Sequence, residues 1–525
     1  MMKTGIVGFA FWAAALIAAT APDGKRWWSY VETLAADEMR GRGTGTPEHL
    51  KAAQFVASEF RKAGLQPTGT DGFKQPVKFR VWKIVEPECS LELLRDGKRS
   101  RLTLGDDAYF SRSEPAGFVE APLVFVGYGL TVPEMNYDDF AGLDVRGKIA
   151  VMISGGPSNI PGPLKSHYQN TRERGHFLKK AGVVGTVTIQ NPRTSDIPWS
   201  RSALSRFQER MGLVDPALAD SSGLKISLVA NPAKADEWLE GSGHTINELL
   251  ALVDAGKELP RFNLVPSLRA TAKVQKRNVE SQNVVAVWPG SDPALKNEYV
   301  VLSAHLDHLG AGEPINGDRI YNGALDNAAG VGTLIDVAWR LREDKVETKR
   351  SLLFVAVTGE EKGLLGSRFF AARPTVAAKS LVANLNVDMF LPLYPLRRVT
   401  VYGLDESDLG DTVRQLANAL KLEVQSDPAP HRNAFIRSDQ YSFIRSGIPS
   451  LKIDFGFEKG SPEAQKHAEW LKSRYHAPSD DLSQPVDVQA AGQYNQLIVM
   501  LAEAVANASA RPQWKADSFF RRFAR

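Results

Sequence analysis

One stretch constrains this chain more than any other, the run from Val300 to Glu361: VVLSAHLDHLG, then YNGALDNAAGVGTLIDVAWRL, then SLLFVAVTGEEKG. Tyr299–Ala304 and Ser351–Val357 are apolar and rich in β-branched residues, which marks them as buried strands. The first ends on His305 and Asp307, the second on Glu360 and Glu361. Between them Asp326 precedes Val331, Leu334, Ile335, Ala338 and Leu341, spaced for one face of a helix. Strand, polar end, helix, strand, polar end is the rhythm of a parallel α/β sheet, whose sites form outside the carboxyl ends of the strands.

The rhythm continues downstream. A helix is expected from Gly363 to Ala372, a strand from Leu381 to Val387 ending on Asp388, and a strand from Val399 to Tyr402. Next come a helix from Asp411 to Leu422, a strand from Ser450 to Phe455, and an amphipathic helix from Val486 to about Ala506. His476, in RYHAPSDD, falls in the loop before that last helix. His305, Asp326, Glu361, Asp388 and His476 together offer five oxygen and imidazole donors, enough for two divalent ions if one carboxylate bridges. A sulfur-free set of this kind suits zinc, with manganese or cobalt as substitutes. Taken singly the residues are ordinary: a lone strand-end histidine is a core histidine, Glu360-Glu361 a solvated face, Asp326 a helix cap. Their recurrence at successive strand ends points to a metal centre, since unpaired burial is costly. His308 reads as a hydrogen-bonded core histidine or a group standing behind the ligands.

At 525 residues the chain exceeds one ordinary core, so two units are expected. Residues 116–272 read as the second: APLVFVGYGL, GKIAVMISGG, GVVGTVTIQNP and LKISLVANP are short strands between Gly, Pro and Asn turns, with a helix at 172–181. His167, His176 and His244 have no sequence neighbour that suggests a site and read as surface or packed residues. NVVAVWPG, after Arg277, returns to the first unit, which makes the second an insert. The resulting layout is a leader at 1–21, the amino-terminal part of a catalytic domain at 22–115, an insert at 116–272, the main catalytic segment at 273–510 and a tail at 511–525. Helices are expected between Trp27 and Gln66, around a turn-like DEMRGRGTGT, followed by short strands with an Asp96-Gly97 turn.

Residues 5–21 carry no charge and end on Ala19-Thr20-Ala21, the pattern of a cleavable export signal, so a periplasmic or extracellular protein without a lasting membrane span is expected. The single Cys89 excludes an internal disulfide and a thiolate cluster, and its apolar surroundings make it a packed residue. A net charge of +4 without a basic run gives no reason to expect a nucleic-acid partner. Oligomeric state is left open.

His305-Leu306-Asp307, Asp326-Asn327-Ala328-Ala329-Gly330, Thr358-Gly359-Glu360-Glu361, Asn386-Val387-Asp388 and Tyr475-His476-Ala477-Pro478 resemble, in order, the five motifs of the co-catalytic zinc aminopeptidase family. That family includes secreted bacterial aminopeptidases, glutamate carboxypeptidase, glutaminyl cyclase and the transferrin receptor. The resemblance covers 276 to about 508, and the insert resembles the protease-associated domain of many members. It implies a mostly parallel α/β sheet with helices on both faces and an exported di-zinc exopeptidase acting on peptides. By the same resemblance Asp326 bridges two zinc ions, His305 and Asp388 complete one site, and Glu361 and His476 the other. Asp307 would orient the His305 ring and Glu360 would be the general base. One departure is Ser438-Asp439-Gln440, where many relatives have Ser-Asp-His. A carboxypeptidase or other amidohydrolase shares this chemistry. A glutaminyl cyclase uses one zinc, and a receptor-like protein loses ligands and gains a long helical domain.

Overall fold

The computed structural model describes residues 23–524 apart from 112, 196, 220–222 and 433; the expected leader at 1–21 lies outside them. Two large sheets organise the chain. The first runs Arg210–Leu213, Lys74–Ile84, Val274–Trp288, Ser351–Val357, Tyr299–His305, Leu381–Asn386, Ser450–Phe455, Arg398–Tyr402, Glu423–Gln425, with Gln66–Pro67 against Val274–Trp288. Its four central strands, from 351–357 across to 450–455, are parallel. The pairings on the 74–84 side are antiparallel, as is 398–402 on 450–455. The sheet is therefore mixed, where a mostly parallel one was expected: the long strand 274–288 carries the chain back from the second unit and runs opposite to both neighbours.

Strand alternation explains why this sheet is covered on both faces. Val284, Ala286, Val300, Leu302, Ala304, Leu352, Phe354 and Ala356 face one core with helices Lys25–Leu34, Pro47–Lys62, Ala329–Glu343 and Val488–Asn507. Val285, Val301, Leu353, Val355 and Val357 face the other, against Phe370 and Phe443 from helices Leu365–Ala372 and Gln440–Arg445. A strand buried on both faces must be apolar throughout, which is why these segments read as continuous runs. Each fully buried Val, Leu or Phe contributes roughly 1.5–3 kcal/mol. Helix Ala329–Glu343 is buried on most sides because helices 25–34 and 488–507 pack over it. Its buried Asp336 is satisfied by Arg26 and Arg340, each at 2.7 Å, and by the Asn495 amide at 2.9 Å.

From Tyr299–His305 the chain passes to Ser351–Val357 on one side and later to Leu381–Asn386 on the other. The strand ending on His305 is thus the topological switch point, where the loops diverge and leave a crevice. The sheet creates the site's location before any side chain is considered.

The second sheet orders Lys98–Leu102, Ser90–Arg95, Phe262–Thr271, Phe118–Phe125, Ile149–Ile153, Gly185–Ile189, Ile226–Ala230 and Ala108–Phe110. It takes up strands from Ser90 onward, whereas the sequence suggested 116, because strands 90–95 and 98–102 form a hairpin with Asp96 and Gly97 both at positive φ and join 262–271. Arg210–Leu213, from within the expected insert, pairs instead with the main sheet at Phe79–Trp82. The second unit is therefore stitched to the first: His167 Nδ1 lies 2.8 Å from the Tyr441 hydroxyl, and Arg445 pairs with Glu173. Cys89 is buried in the core of the second unit.

Candidate metal centre

His305 ends its strand, Asp388 follows Leu381–Asn386 by two residues, and Glu361 follows Ser351–Val357 by four. Asp326 lies in a kinked turn, and the helix proper starts only at Ala329, so Asp326 is no helix cap. His476, at φ 54°, projects from its loop. These five side chains converge. His305 Nε2 is 3.2 Å from Asp326 Oδ1 and 3.2 Å from Asp388 Oδ1. His476 Nε2 is 3.4 Å from Asp326 Oδ2 and 3.3 Å from Glu361 Oε2. Asp326 presents one oxygen to each half.

These spacings test whether the residues fit metal ions. Nitrogen and oxygen ligands sit about 2.0–2.1 Å from zinc, so the edge of a tetrahedron around it is about 3.3–3.4 Å. The four distances match that edge. The electrostatics agree. Burial disfavours protonated His305 and His476, yet both rings are held well above the ordinary imidazole range, His305 by Asp388, Glu360 and Asp326, His476 by Glu361 and Asp326. Burial pushes Asp326 and Glu361 upward, but the histidines outweigh it and hold both below the carboxylate range. Asp388 is held low against burial by Lys452 and His305. A site this strongly cation-seeking, lined by carboxylates and imidazoles, suits divalent ions.

Asp307 differs from expectation. His305 Nδ1 lies 2.9 Å from the main-chain carbonyl of Asp307, which fixes the ring. The Asp307 carboxylate faces the other way, accepting from the Thr44 hydroxyl at 2.8 Å and the Glu360 amide at 3.1 Å, so it positions Glu360 instead. Glu360 belongs to neither triad but lines the cavity over them. Burial, with Glu361, Asp439 and Asp388 nearby, holds its carboxyl well above the usual range, and His305 offsets only part.

Gln440 keeps a supporting role despite the departure from Ser-Asp-His. Its Oε1 accepts from Asn386 Nδ2 at 2.9 Å, beside Ser438 Oγ at 2.7 Å, and Asn386 leads into Asp388. Asp439 is fully buried and pushed to about 7 by burial.

Several residues were invisible in the linear pattern. Arg42 is completely buried and donates to the carbonyls of Leu306 (2.9 Å), Asn322 (2.7 Å) and Gly323 (2.9 Å), clamping the main chain beside His305 to the loop before Asp326. DEMRGRGTGT signalled only a turn, and nothing local tells a buried arginine from an exposed one. Asp480 accepts from the amides of Leu325 and Asp326, each at 3.0 Å. Lys452, buried 3.2 Å from Asp454, lies on a strand otherwise read as apolar.

A cavity of about 970 Å³ opens over the triads, walled by Arg432, Arg437, Tyr441, Arg445 and Lys452 on one side and by 169–172 of the second unit on the other. A second cavity of about 510 Å³ continues past Tyr475 and His476 to Ser154, Gln190 and Asn191, beyond the carboxyl ends of the second unit's parallel strands.

Comparison with known proteins agrees with this geometry. Probable leucine aminopeptidase 2 of Aspergillus fumigatus is 28% identical over 458 residues, 85% of this chain and 75% of that protein. Aminopeptidase Y of Saccharomyces cerevisiae is 28% identical over 266 residues, 48% of this chain, so the match takes in less than half (46%) of the yeast protein's length. An aminopeptidase from Aneurinibacillus sp. strain AM-1 shares the fold, with a TM-score of 0.55 and 20% identity over 94% of this chain and 95% of that one. Residues 283–502, which carry all five converging side chains, match the profile of Peptidase family M28.

Proposed function

We propose that this chain is a peptidase of family M28 and a di-zinc aminopeptidase, removing residues from the amino-terminal end of peptides. The observation that carries it is Asp326, whose two oxygens each complete one triad, with His305 and Asp388 on one side and Glu361 and His476 on the other. Two zinc ions held there would supply Lewis acidity, activating water and polarising the scissile carbonyl.

The chain's own groups do the rest. Glu360, its main chain fixed on Asp307, has a carboxylate of raised basicity facing the cavity, suited to taking a proton from water and passing it to the leaving amine. Asp307, Arg42 and Asp480 hold the main chain on which His305 and Asp326 stand.

Polarity follows from the cavity wall. A carboxypeptidase needs cations offered to the substrate's carboxylate. Here Arg445 is engaged by Glu173, and Arg437 donates to the Tyr475 hydroxyl at 3.2 Å. The names of the relatives support the same direction.

The second unit, which we read as a protease-associated insert, forms the far wall and governs access without reacting. Export remains part of the proposal; among the described residues no helix is long and apolar enough to cross a membrane.

The test is a peptide panel. Acetylating the α-amine should abolish release of the first residue, while amidating the carboxyl end should leave it intact. The opposite result would make the enzyme a carboxypeptidase.

A further inference from the structure

One buried imidazole at the centre has no role in the reading above. His308 is fully buried, and its Nδ1 stands 2.9 Å from Oε1 of Glu361. Its ring is boxed in: it meets His476 edge-on with centroids 5.9 Å apart, and a Cβ added to Gly323 would lie 2.5 Å from its Cγ. Its amide donates to the Arg42 carbonyl at 3.4 Å, and it forms a bridge with Gly43, so the amino-terminal segment sets its height. Neither ring nitrogen nor Glu361 Oε1 is in an aligned hydrogen bond, their own 2.9 Å contact included. Buried polar atoms are rarely left in that condition.

Distance distinguishes this contact from its neighbours. The histidine–carboxylate pairs around the two triads are 3.2–3.4 Å apart, the spacing of atoms converging on a shared ion. His308 and Glu361 are closer, at the usual separation of an N–H donor and a carboxylate oxygen. The contact also uses the oxygen of Glu361 that is not turned toward His476.

We infer that His308 is a positioning residue for the second metal site: its Nδ1–H donates to Glu361 Oε1 and holds the carboxylate so that Oε2 serves the site shared with Asp326 and His476. This rests on the two-ion reading above. Without that bond the carboxylate would rotate about its last carbon–carbon bond and lose preorganisation for the ion. The competing possibility is that His308 is itself a ligand, since one nitrogen lies within 4.8 Å of oxygens from both Asp326 and Glu361.

The experiment titrates zinc into metal-free full-length protein against a chromogenic chelator, for the wild type, His308→Leu and His308→Asn. The first equivalent should bind all three alike. The second should bind His308→Leu about 10–100-fold more weakly, the usual cost of losing such a supporting group. His308→Asn, whose side-chain N–H can still donate, should recover part of that loss. Fully cobalt-loaded wild type and His308→Leu should share the same visible absorption, because no ligand has been removed. Unchanged affinity for the second equivalent in both variants would overturn the inference, as would a loss that asparagine does not relieve. A changed cobalt spectrum in His308→Leu would overturn it in favour of direct ligation. Should His308→Leu fail to fold, judged by melting of the metal-free protein, His308→Asn against wild type carries the same comparison, with a loss smaller than tenfold expected and an altered spectrum overturning it. Failure of the two-ion reading itself would show separately, as wild-type saturation at one equivalent.

Discussion

Replacing Glu360 by Gln removes one basic oxygen from the mouth of the site and leaves its volume unchanged. None of the four short histidine–carboxylate contacts involves Glu360, so Glu360→Gln should hold its full complement of zinc. Turnover should fall by roughly 10²–10⁴-fold, the contribution of a positioned proton acceptor, or about 3–5 kcal/mol in the barrier. Glu361→Gln should do the reverse. It removes the oxygen 3.3 Å from His476 and should weaken one zinc by more than the ~10–100-fold that a supporting group costs, with excess zinc restoring part of the rate. The pH dependence follows from the sign of the shift. Because the Glu360 carboxyl is raised, and the base must be ionised, activity is present above that raised value and lost as pH falls through it. Glu360→Gln should lack this acid limb. The assay pairs zinc stoichiometry with single-turnover rates on both variants across pH. Loss of zinc in Glu360→Gln with retention in Glu361→Gln would exchange the two roles and refute the reasoning.

His305→Ala should retain the ion of the other triad, measured as one zinc per chain, with a large loss of rate. At Gly330 a Cβ would lie 2.3 Å from Asn327 Oδ1 and 2.6 Å from the Val387 carbonyl, between Asp326 and Asp388. Gly330→Ala should therefore cost about 1–3 kcal/mol in denaturant unfolding and lower zinc affinity as well. In the second unit, burial raises Asp139 to about 6 against an ordinary 3.8, although Tyr137 and the amides of Leu130 and Tyr128 bond it. Its folded pKa exceeds the unfolded one, so the folded state is favoured below about 4 and stability is lost as pH rises toward 6. The loss is at most ~3 kcal/mol. Asp139→Asn should flatten that part of the stability profile, measured by denaturant unfolding at pH 4.5 and 7.5.

The strands that deliver His305, Glu361 and Asp388 were legible because a strand buried on both faces must be continuously apolar, and a polar residue at its end stands out. The helix after Asp326 was legible from its one-face spacing. Asp326 itself was not readable as more than a helix cap without its partners, and the helix at Pro462–Ser473, polar and half exposed, left no clear periodicity. Strand pairing lay beyond local pattern: apolar runs say that a strand is buried but not which way its neighbour runs, so the antiparallel flanks and the strand 210–213 that joins the main sheet appear only in three dimensions. The amino-acid sequence thus determined the donor set and the parallel core that presents it. The tertiary structure alone decided which atoms converge: that Asp326 faces both triads, that Asp307 turns its carboxylate to Glu360, and that Arg42 and His308 close in behind. The physical reason is that ligand identity is written in single residues, whereas burial, pairing and distance depend on segments hundreds of positions apart.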